Sequence, residues 1–390
     1  MMTSVELFAG AGGLALGISQ AGFKNKAVLE WDSDACETIR ANQRLSVRHV
    51  KDWRLTETDV RGFDFNSVGG ETDLLAAGVP CQPWSIGGKH RGYEDERNLF
   101  PDTIRAIVAL RPKAVLIENV KGLTRQSFAD YFSYIHYMVE FPEVGRRPNE
   151  SWVDHRARLE KLVTSRGERS RYSGLRYNVV SKLLNAADYG VPQRRERVFI
   201  VAFRSDLGVD WAFPEPSHSR RALLADQWIK GEYWERHQVA TKSRPQRPAQ
   251  LSPDLSEDSL FPTTPWLTVR DAIHGLPDPE SRLARDIPNH VFQPGAKAYV
   301  GHTGSPLDEP SKTLKAGDHG VPGGENMILF PDGRVRYLTV RESARIQTFP
   351  DEFVFNSVWS ENMRQLGNAV PVTLGQVLAR DIARRLRLRK

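Results

Sequence analysis

The chain has 390 residues, 40% of them hydrophobic and 26% charged, with a net charge of +6. These values are those of a soluble globular protein of two domains, or of one large domain with an insertion, and the modest positive charge is compatible with a nucleic-acid partner without proving one. No apolar run is long enough to span a bilayer, no charged leader with an apolar core opens the chain, and Cys36 and Cys81 are its 2 cysteines. A transmembrane helix, a signal peptide and a disulfide framework are therefore not expected, and a reducing cytoplasm is.

The first predicted strand, Ser4 to Phe8, opens into Ala9-Gly10-Ala11-Gly12-Gly13-Leu14-Ala15. Gly10-x-Gly12-x-x-Ala15 satisfies the loose dinucleotide fingerprint, in which glycines allow a tight turn and let a ligand approach the start of a helix. A second strand, Lys26 to Leu29, ends in Glu30, where an acidic residue would bind ribose hydroxyls. Trp31 offers an indole face for an adenine, or else serves as an edge-strand core aromatic. The pattern implies an adenosine-type cofactor on a doubly wound sheet and does not yet separate NAD from S-adenosylmethionine. Asp59-Val60 would put a carboxylate at the end of a third strand, near the adenine amine, with Asp52 as a competing choice.

Asp73-Leu74-Leu75-Ala76-Ala77 reads as a buried parallel strand bounded by Gly78, and it runs into Val79-Pro80-Cys81-Gln82-Pro83-Trp84-Ser85. Two prolines hold Cys81 in a stiff backbone at a strand's carboxyl end, facing the cleft where such sheets bind ligands. Prolines and a polar amide are poor core filler, so a catalytic thiol is favoured over a structural one. The glycine-rich, basic continuation Gly87-Gly88-Lys89-His90-Arg91-Gly92 suits a lid that closes on a polyanion. After a helix from Asp102 to Leu110, the apolar run Ala114 to Ile117 ends in Glu118-Asn119-Val120, a carboxylate in the same crevice.

From about 141 to 176 the chain is rich in Arg, Glu and Ser without a clean apolar stripe, and reads as an excursion or poorly ordered helix with a solvated face. A strand from Tyr177 to Leu184 precedes Gln193-Arg194-Arg195-Glu196-Arg197 and a last strand, Val198 to Phe203. Alternation puts the Arg195 and Arg197 guanidiniums on one face, as an anionic or carbonyl-bearing ligand would require. From Arg204 to about Arg334 the βα rhythm gives way to short segments rich in Pro, Gly, Ser and His: a separate, mostly irregular, β-containing domain. Thr339 and Glu342 form a capping-box pattern. Gly367-Asn368-Ala369-Val370-Pro371 then precedes a helix from Val372, whose C-terminal arginines suit the helix dipole.

Laid out in this order, the segments resemble the DNA cytosine-5 methyltransferases of bacterial restriction–modification type, nearly end to end. Phe8 to Gly13 resembles the first cofactor motif, Glu30-Trp31 the ribose and adenine contacts, and Asp59 the adenine-amine contact. Pro80-Cys81-Gln82 resembles the nucleophile motif, Asn98-Leu99 a further cofactor segment, and Glu118-Asn119-Val120 the motif that holds the target base. Gln193-x-Arg195-x-Arg197 matches the arginine motif. Arg336-x-Leu338-Thr339-x-x-Glu342-x-x-Arg345-x-Gln347 and Gly367 to Pro371 resemble the last two motifs, and Thr313-Leu314 a dipeptide of the recognition domain. Trp84 departs from the usual phenylalanine, and no motif covers the arginine-rich excursion.

The resemblance implies an α/β fold, a doubly wound Rossmann-like S-adenosylmethionine-dependent methyltransferase sheet with a smaller irregular/β target-recognition domain. Its expected boundaries are 1–205 plus 365–390 for the catalytic domain, 206–335 for recognition and 336–364 for a hinge and connecting segment. It implies catalysis by Cys81, Glu118, Arg195 and Arg197, and cofactor binding by Phe8, Ala9, Gly10, Gly12, Gly13, Leu14, Glu30, Trp31, Asp59, Val60, Pro80, Leu99, Asn368, Ala369 and Val370. DNA contacts fall to Gln82, Ser85, Lys89, Arg91 and Thr313. It further implies conversion of S-adenosyl-L-methionine to S-adenosyl-L-homocysteine without a metal, and double-stranded DNA as partner. The expected enzyme acts as a monomer in the bacterial cytoplasm or nucleoid, paired in function, without a stable complex, with a restriction endonuclease.

Three alternatives predict different residues. An RNA cytosine-5 methyltransferase of the tRNA-Asp type carries a Cys-Phe-Thr segment in its recognition region, and no cysteine follows Cys81 here. A catalytically silent DNA-binding relative predicts a damaged nucleophile or cofactor motif. An NAD dehydrogenase leaves Pro-Cys-Gln and Gln-x-Arg-x-Arg unexplained.

Overall fold

The structure, a computed structural model, describes residues 1–80, 98–248, 263–300, 302–316 and 326–388. Its first half alternates strands and helices: β1 (Met2–Leu7), α1 (Gly13–Gln20), β2 (Phe23–Glu30), α2 (Ser33–Arg44), β3 (Leu55–Glu57), β4 (Leu74–Gly78), α3 (Phe100–Leu110), β5 (Ala114–Val120), α4 (Ala129–Glu140), α5 (Trp152–Thr164), α6 (Arg166–Arg171), β6 (Tyr177–Asn185) and β7 (Glu196–Arg204). The seven strands form one sheet in the order β3-β2-β1-β4-β5-β7-β6. All neighbours from β3 to β5 are parallel, whereas β7 runs antiparallel to both β5 and β6. Leu74 to Ala77 and Ala114 to Ile117 are wholly buried, as central parallel strands covered on both faces require.

One face of the sheet packs on α3 and α4 through Phe100, Ile107, Tyr134, Ile135 and Val139. The other carries α1 and α12 (Val372–Arg387), joined by Leu14, Ile18, Leu374, Leu378 and Ile382. The two helices cross so closely that a Cβ at Gly17 would lie 2.5 Å from the Val372 carbonyl oxygen and 2.6 Å from the Gln376 nitrogen. No helix among the described residues is long and apolar enough to cross a membrane.

The arginine-rich excursion is ordered as α5 and α6. Ser151 caps α5, and Trp152, His155 and Leu159 turn inward, a short stripe at helical spacing among charged neighbours. His155 is buried between the Tyr134 hydroxyl at 2.7 Å and the Val144 carbonyl at 2.7 Å, and burial lowers its pKa. The segment after β7 contains the short helices α7 (Arg220–Ala225), α8 (Glu232–Arg236) and α9 (Val269–Ile273), the paired strands β8 (His218–Ser219) and β9 (Thr264–Pro265), and the sheet β10 (Ser305–Pro306), β11 (Met327–Leu329) and β12 (Val335–Tyr337). To the expected irregular, β-containing character it adds single helical turns, which close on small clusters such as Leu223, Tyr233 and Trp234.

The chain returns to the sheet through α10 (Val340–Ile346), capped by the expected Thr339–Glu342 box, and α11 (Trp359–Asn368). The stretch 336–364, expected as a hinge, packs to both sides. Val340, Ala344, Phe349 and Phe353 join Ala11, Leu16 and Trp53, while Leu338 and Ile346 join Val269 and Leu314 of the segment after β7. Because the α1–α12 crossing has no room for a methyl group, Gly17→Ala is expected to destabilise the fold by about 1–3 kcal/mol, the usual cost of overpacking. Urea denaturation checks this, and an unchanged midpoint would show that the helices part freely.

Candidate active site

Strand order reverses between β1 and β4, and their carboxyl ends open the crevice where doubly wound sheets bind ligands. On the β1 side, Phe8 leaves the strand at φ 57° and Gly10 and Gly12 follow at 55° and 91°. This is a left-handed turn that bulky residues adopt only under strain. Gly12 is also crowded, since a Cβ there would lie 2.6 Å from the Trp53 ring, whereas one at Gly10 would meet open space. Gly10 is therefore the point where a ligand can approach the backbone.

Glu30, at the end of β2, is buried and ties this turn together. Its carboxylate accepts from the Gly10 amide at 2.7 Å and from the Trp31 and Asp32 amides at 2.9 and 2.8 Å. Oε1 takes two of these bonds and Oε2 one, so Oε2 retains capacity for one further donor such as a ribose hydroxyl. Trp31, directly after β2, is 71% exposed, which removes the core alternative. Asp59 caps a turn after β3, and Arg61 holds its carboxylate at 2.9 Å, lowering its pKa. Val60 is buried in the core, and Leu14 packs on Gly375 of α12, so their side chains support the pocket from behind. Leu99 and Pro80 are half-buried, Asn368 is exposed, and Ala369 and Val370 are buried beneath the turn.

Asn98, buried beside Leu99, leaves its Nδ2 without a partner while Oδ1 accepts from Phe100. An orphaned buried donor, a carboxylate with spare capacity and a glycine open to approach together fit an adenosine-bearing cofactor. The residues that would hold one are Gly10, Glu30, Trp31 and Asn98.

Across the crevice, Gly78 at the end of β4 stands in register with Glu118 on β5. Asn119 donates to the Val79 carbonyl at 3.1 Å and so fastens the strand end that leads to Cys81. Cys81, Gln82, Ser85, Lys89 and Arg91 lie outside the described residues. Glu118 is buried, and Arg197 Nε meets its carboxylate at 3.0 Å. The antiparallel run of β7 brings this arginine to the carboxyl edge, pairing Val120 with Arg197. Burial raises the Glu118 pKa, against the pull of Arg197 and then Arg195.

Arg195 sits deeper. It is fully buried and donates to the Leu314 carbonyl at 3.2 Å and the Gly367 carbonyl at 2.8 Å, with Nε unpartnered. A guanidinium keeps its proton in proteins, so the burial that pushes its pKa down expresses the cost of holding a charge there. It touches backbone rather than the crevice, which makes it a positioning residue. Beside Arg197 lies a cavity of about 340 Å³ lined by Lys121, Asn185, Arg194, Glu196 and Thr313 as well. Thr313 donates to the Arg194 carbonyl at 2.8 Å. Lys121, Asn185 and Arg194 are not signalled as site residues by the sequence, beyond the place of Lys121 directly after Glu118-Asn119-Val120.

A doubly wound sheet with a glycine turn at its reversal point, and a buried acid–guanidinium pair joining β5 and β7 beside it, is of the cofactor-binding α/β class. The model of C-5 cytosine-specific DNA methylases matches residues 2–141 and 170–384, passing over the stretch that contains α5. Similar proteins include the Type II methyltransferase M.PspPI of Psychrobacter sp. (strain TA137), 34% identical over 98% of this chain and 79% of that protein. Another is M.NgoMIV of Neisseria gonorrhoeae, 32% identical over 99% of this chain and 98% of its own. Among solved structures, the S. pombe Dnmt2 methyltransferase shares the fold, with a TM-score of 0.55 at 16% identity over 100% of this chain and 99% of that one. The chain belongs to the C-5 cytosine-specific DNA methylase family. Membership implies S-adenosylmethionine as methyl donor and DNA as substrate.

Two outcomes follow from this geometry. Each hydrogen bond to a charged group is worth about 1.5–3 kcal/mol, so Glu30→Ala is expected to weaken S-adenosylhomocysteine binding at least tenfold by calorimetry and to lower the thermal midpoint. Glu118, with its folded-state pKa raised above the ordinary 4.5, binds its proton more tightly folded than unfolded. Stability therefore falls as pH climbs through that value. Relative to Glu118→Gln, the wild type is expected to lose unfolding free energy as pH rises above the ordinary carboxylate range, measured by urea denaturation. A gap that stays level or widens in the wild type's favour would mean that Arg197 outweighs burial.

Proposed function

We propose that this protein transfers a methyl group from S-adenosyl-L-methionine to C5 of a flipped-out cytosine within a specific short double-stranded DNA sequence, through a covalent bond between Cys81 and C6. The observation that carries this reading is the buried Glu118–Arg197 pair in register with Gly78, beside the strand end that leads to Cys81, in a chain of this family.

C5 of cytosine is too weak a nucleophile to take a methyl group unaided. The Cys81 thiolate adds to C6, and the electron pair displaced from the C5–C6 double bond makes C5 enamine-like. Glu118, its pKa raised by burial, donates a hydrogen bond or proton at N3 and accepts from the exocyclic amine. Arg197 binds O2 while keeping Glu118 oriented, and Arg195 holds the backbone on which both depend. The bound cofactor supplies an electrophilic methyl group near the glycine turn, with Phe8, Ala9, Gly10, Gly12, Gly13, Leu14, Glu30, Trp31, Asp59, Val60, Pro80, Leu99, Asn368, Ala369 and Val370 forming its pocket. After C5 is methylated, loss of its proton to a water restores the double bond and expels Cys81. No step calls for a metal.

A stacked base cannot reach Glu118, so the cytosine leaves the helix at a cost of a few kcal/mol, offset by contacts to the DNA backbone. Gln82, Ser85, Lys89 and Arg91 are the candidates for those contacts, with Thr313 at the rim of the Arg197 cavity. Relatives named as Type II methyltransferases support a role in protecting host DNA from a cognate restriction endonuclease. We further propose that the protein acts as a monomer on DNA in the cytoplasm or nucleoid, without a stable complex with the nuclease.

Expression in a methylation-free bacterial host, with 5-methylcytosine mapped across the recovered plasmid, tests the reading. Methylation is expected at one short recurrent sequence and is expected to vanish in Cys81→Ser. Soluble protein that binds S-adenosylmethionine yet leaves DNA unmethylated would sink the DNA reading in favour of RNA substrates or a silent relative.

A further inference from the structure

Gln193 and Gln347 are both fully buried and lie 154 residues apart in the chain. Gln193 Nε2 donates to Gln347 Oε1 at 3.1 Å, and Gln193 Oε1 accepts from the Leu314 amide at 3.1 Å. Gln347 Nε2 in turn donates to the Leu366 carbonyl and, at 3.3 Å, to the Ala369 carbonyl. Arg195 spans the same gap from Leu314 to Gly367. Gly367 is pressed so tightly on the backbone of Lys315 and Ala316 that a side chain there would collide with both.

The chain of contacts continues at either end. The Val370 carbonyl abuts Gly13 of the glycine turn, where a Cβ would collide with it. Thr313, next to Leu314, binds the Arg194 carbonyl at the rim of the Arg197 cavity. A path of buried hydrogen bonds through Gln193, Gln347 and Arg195, extended by the Val370–Gly13 backbone contact at one end and the Thr313 hydroxyl at the other, thus joins the turn expected to hold the methyl donor to the segment expected to face DNA. These amides have no water to fall back on, so shifting either end leaves a donor or acceptor unpaired and the path moves as a unit.

We propose that Gln193, Arg195 and Gln347 are positioning residues that couple the methyl-donor pocket to the DNA-facing segment, so that occupancy of each tightens the other. This rests on the reading of the chain as a DNA methyltransferase. Such coupling is reciprocal by necessity, and typical values run from about fivefold upward.

The test measures S-adenosylhomocysteine affinity by calorimetry on the whole enzyme, alone and saturated with a duplex carrying the sequence found by methylation mapping. The wild type is expected to bind at least fivefold more tightly with DNA present. Gln193→Met and Gln347→Met are expected to show less than a twofold gain, and the double variant no further loss, since both act through one hydrogen bond. Free-enzyme affinity should change less than threefold, which separates lost coupling from a damaged pocket. Variants that retain the full gain, or a wild type with none, would overturn the coupling; a wild type that binds no S-adenosylhomocysteine would instead strike the function itself. Should the variants fail to fold, hydrogen exchange on the wild type decides. S-adenosylhomocysteine alone should slow exchange in residues 311–316, and DNA alone in 366–372, and exchange unchanged in both segments refutes the proposal.

Discussion

A carboxylate buried at the carboxyl edge of a parallel sheet needs a cation, and the parallel neighbours deliver only strand ends pointing the same way. Reversal of β7 solves this, because its amino end begins where the others finish, and Arg197 enters opposite Val120 to meet Glu118. Much of the site follows from that single reversal. Residues 193–196, just upstream, are carried to the same edge, so Gln193 and Arg195 lie where the recognition segment must attach. Thr313 and Leu314 are bonded to them directly.

The seam between the recognition segment and the sheet is consequently polar. Arg341, like Arg195, is buried without an adequate carboxylate: it donates to the Pro288 carbonyl at 3.1 Å and the Phe353 carbonyl at 2.9 Å, and Asp351 lies 3.9 Å away. Asn289 and Phe355 exchange two further bonds, at 2.6 and 2.8 Å. Directional bonds of this kind fix orientation more strictly than an apolar contact would, and so set how the segment after β7 sits on the sheet. The cost is that each guanidinium depends on carbonyls contributed by several distant stretches.

The strands, the glycine turn and Glu118 could be read from the chain because they rest on local signals: apolar runs bounded by glycine, and a charge where a strand interior should be apolar. The Thr339–Glu342 box was legible for the same reason. Arg195 and Arg197 illustrate the limit. Alternation put both on one face, as for a shared ligand, but it could not tell that Arg197 meets a carboxylate while Arg195 is spent on the carbonyls of Leu314 and Gly367, residues 119 and 172 positions away. The order of α5 was likewise hidden, since its three inward residues, Trp152, His155 and Leu159, include a histidine whose burial is made tolerable by Tyr134 and Val144. In the recognition segment, helical turns of five or six residues leave no periodicity to detect.

The packing of α12 on α1 bears on how the enzyme comes into being. The Val370 carbonyl and α12 back the glycine turn, yet they emerge from the ribosome some 350 residues after it, at roughly 5–20 residues per second. Until then the turn lacks its rear wall, whatever the early strands have already formed. The wall that α12 gives the turn is therefore complete only after residues 206–335 have been synthesised, so the order of translation makes this packing one of the last to form.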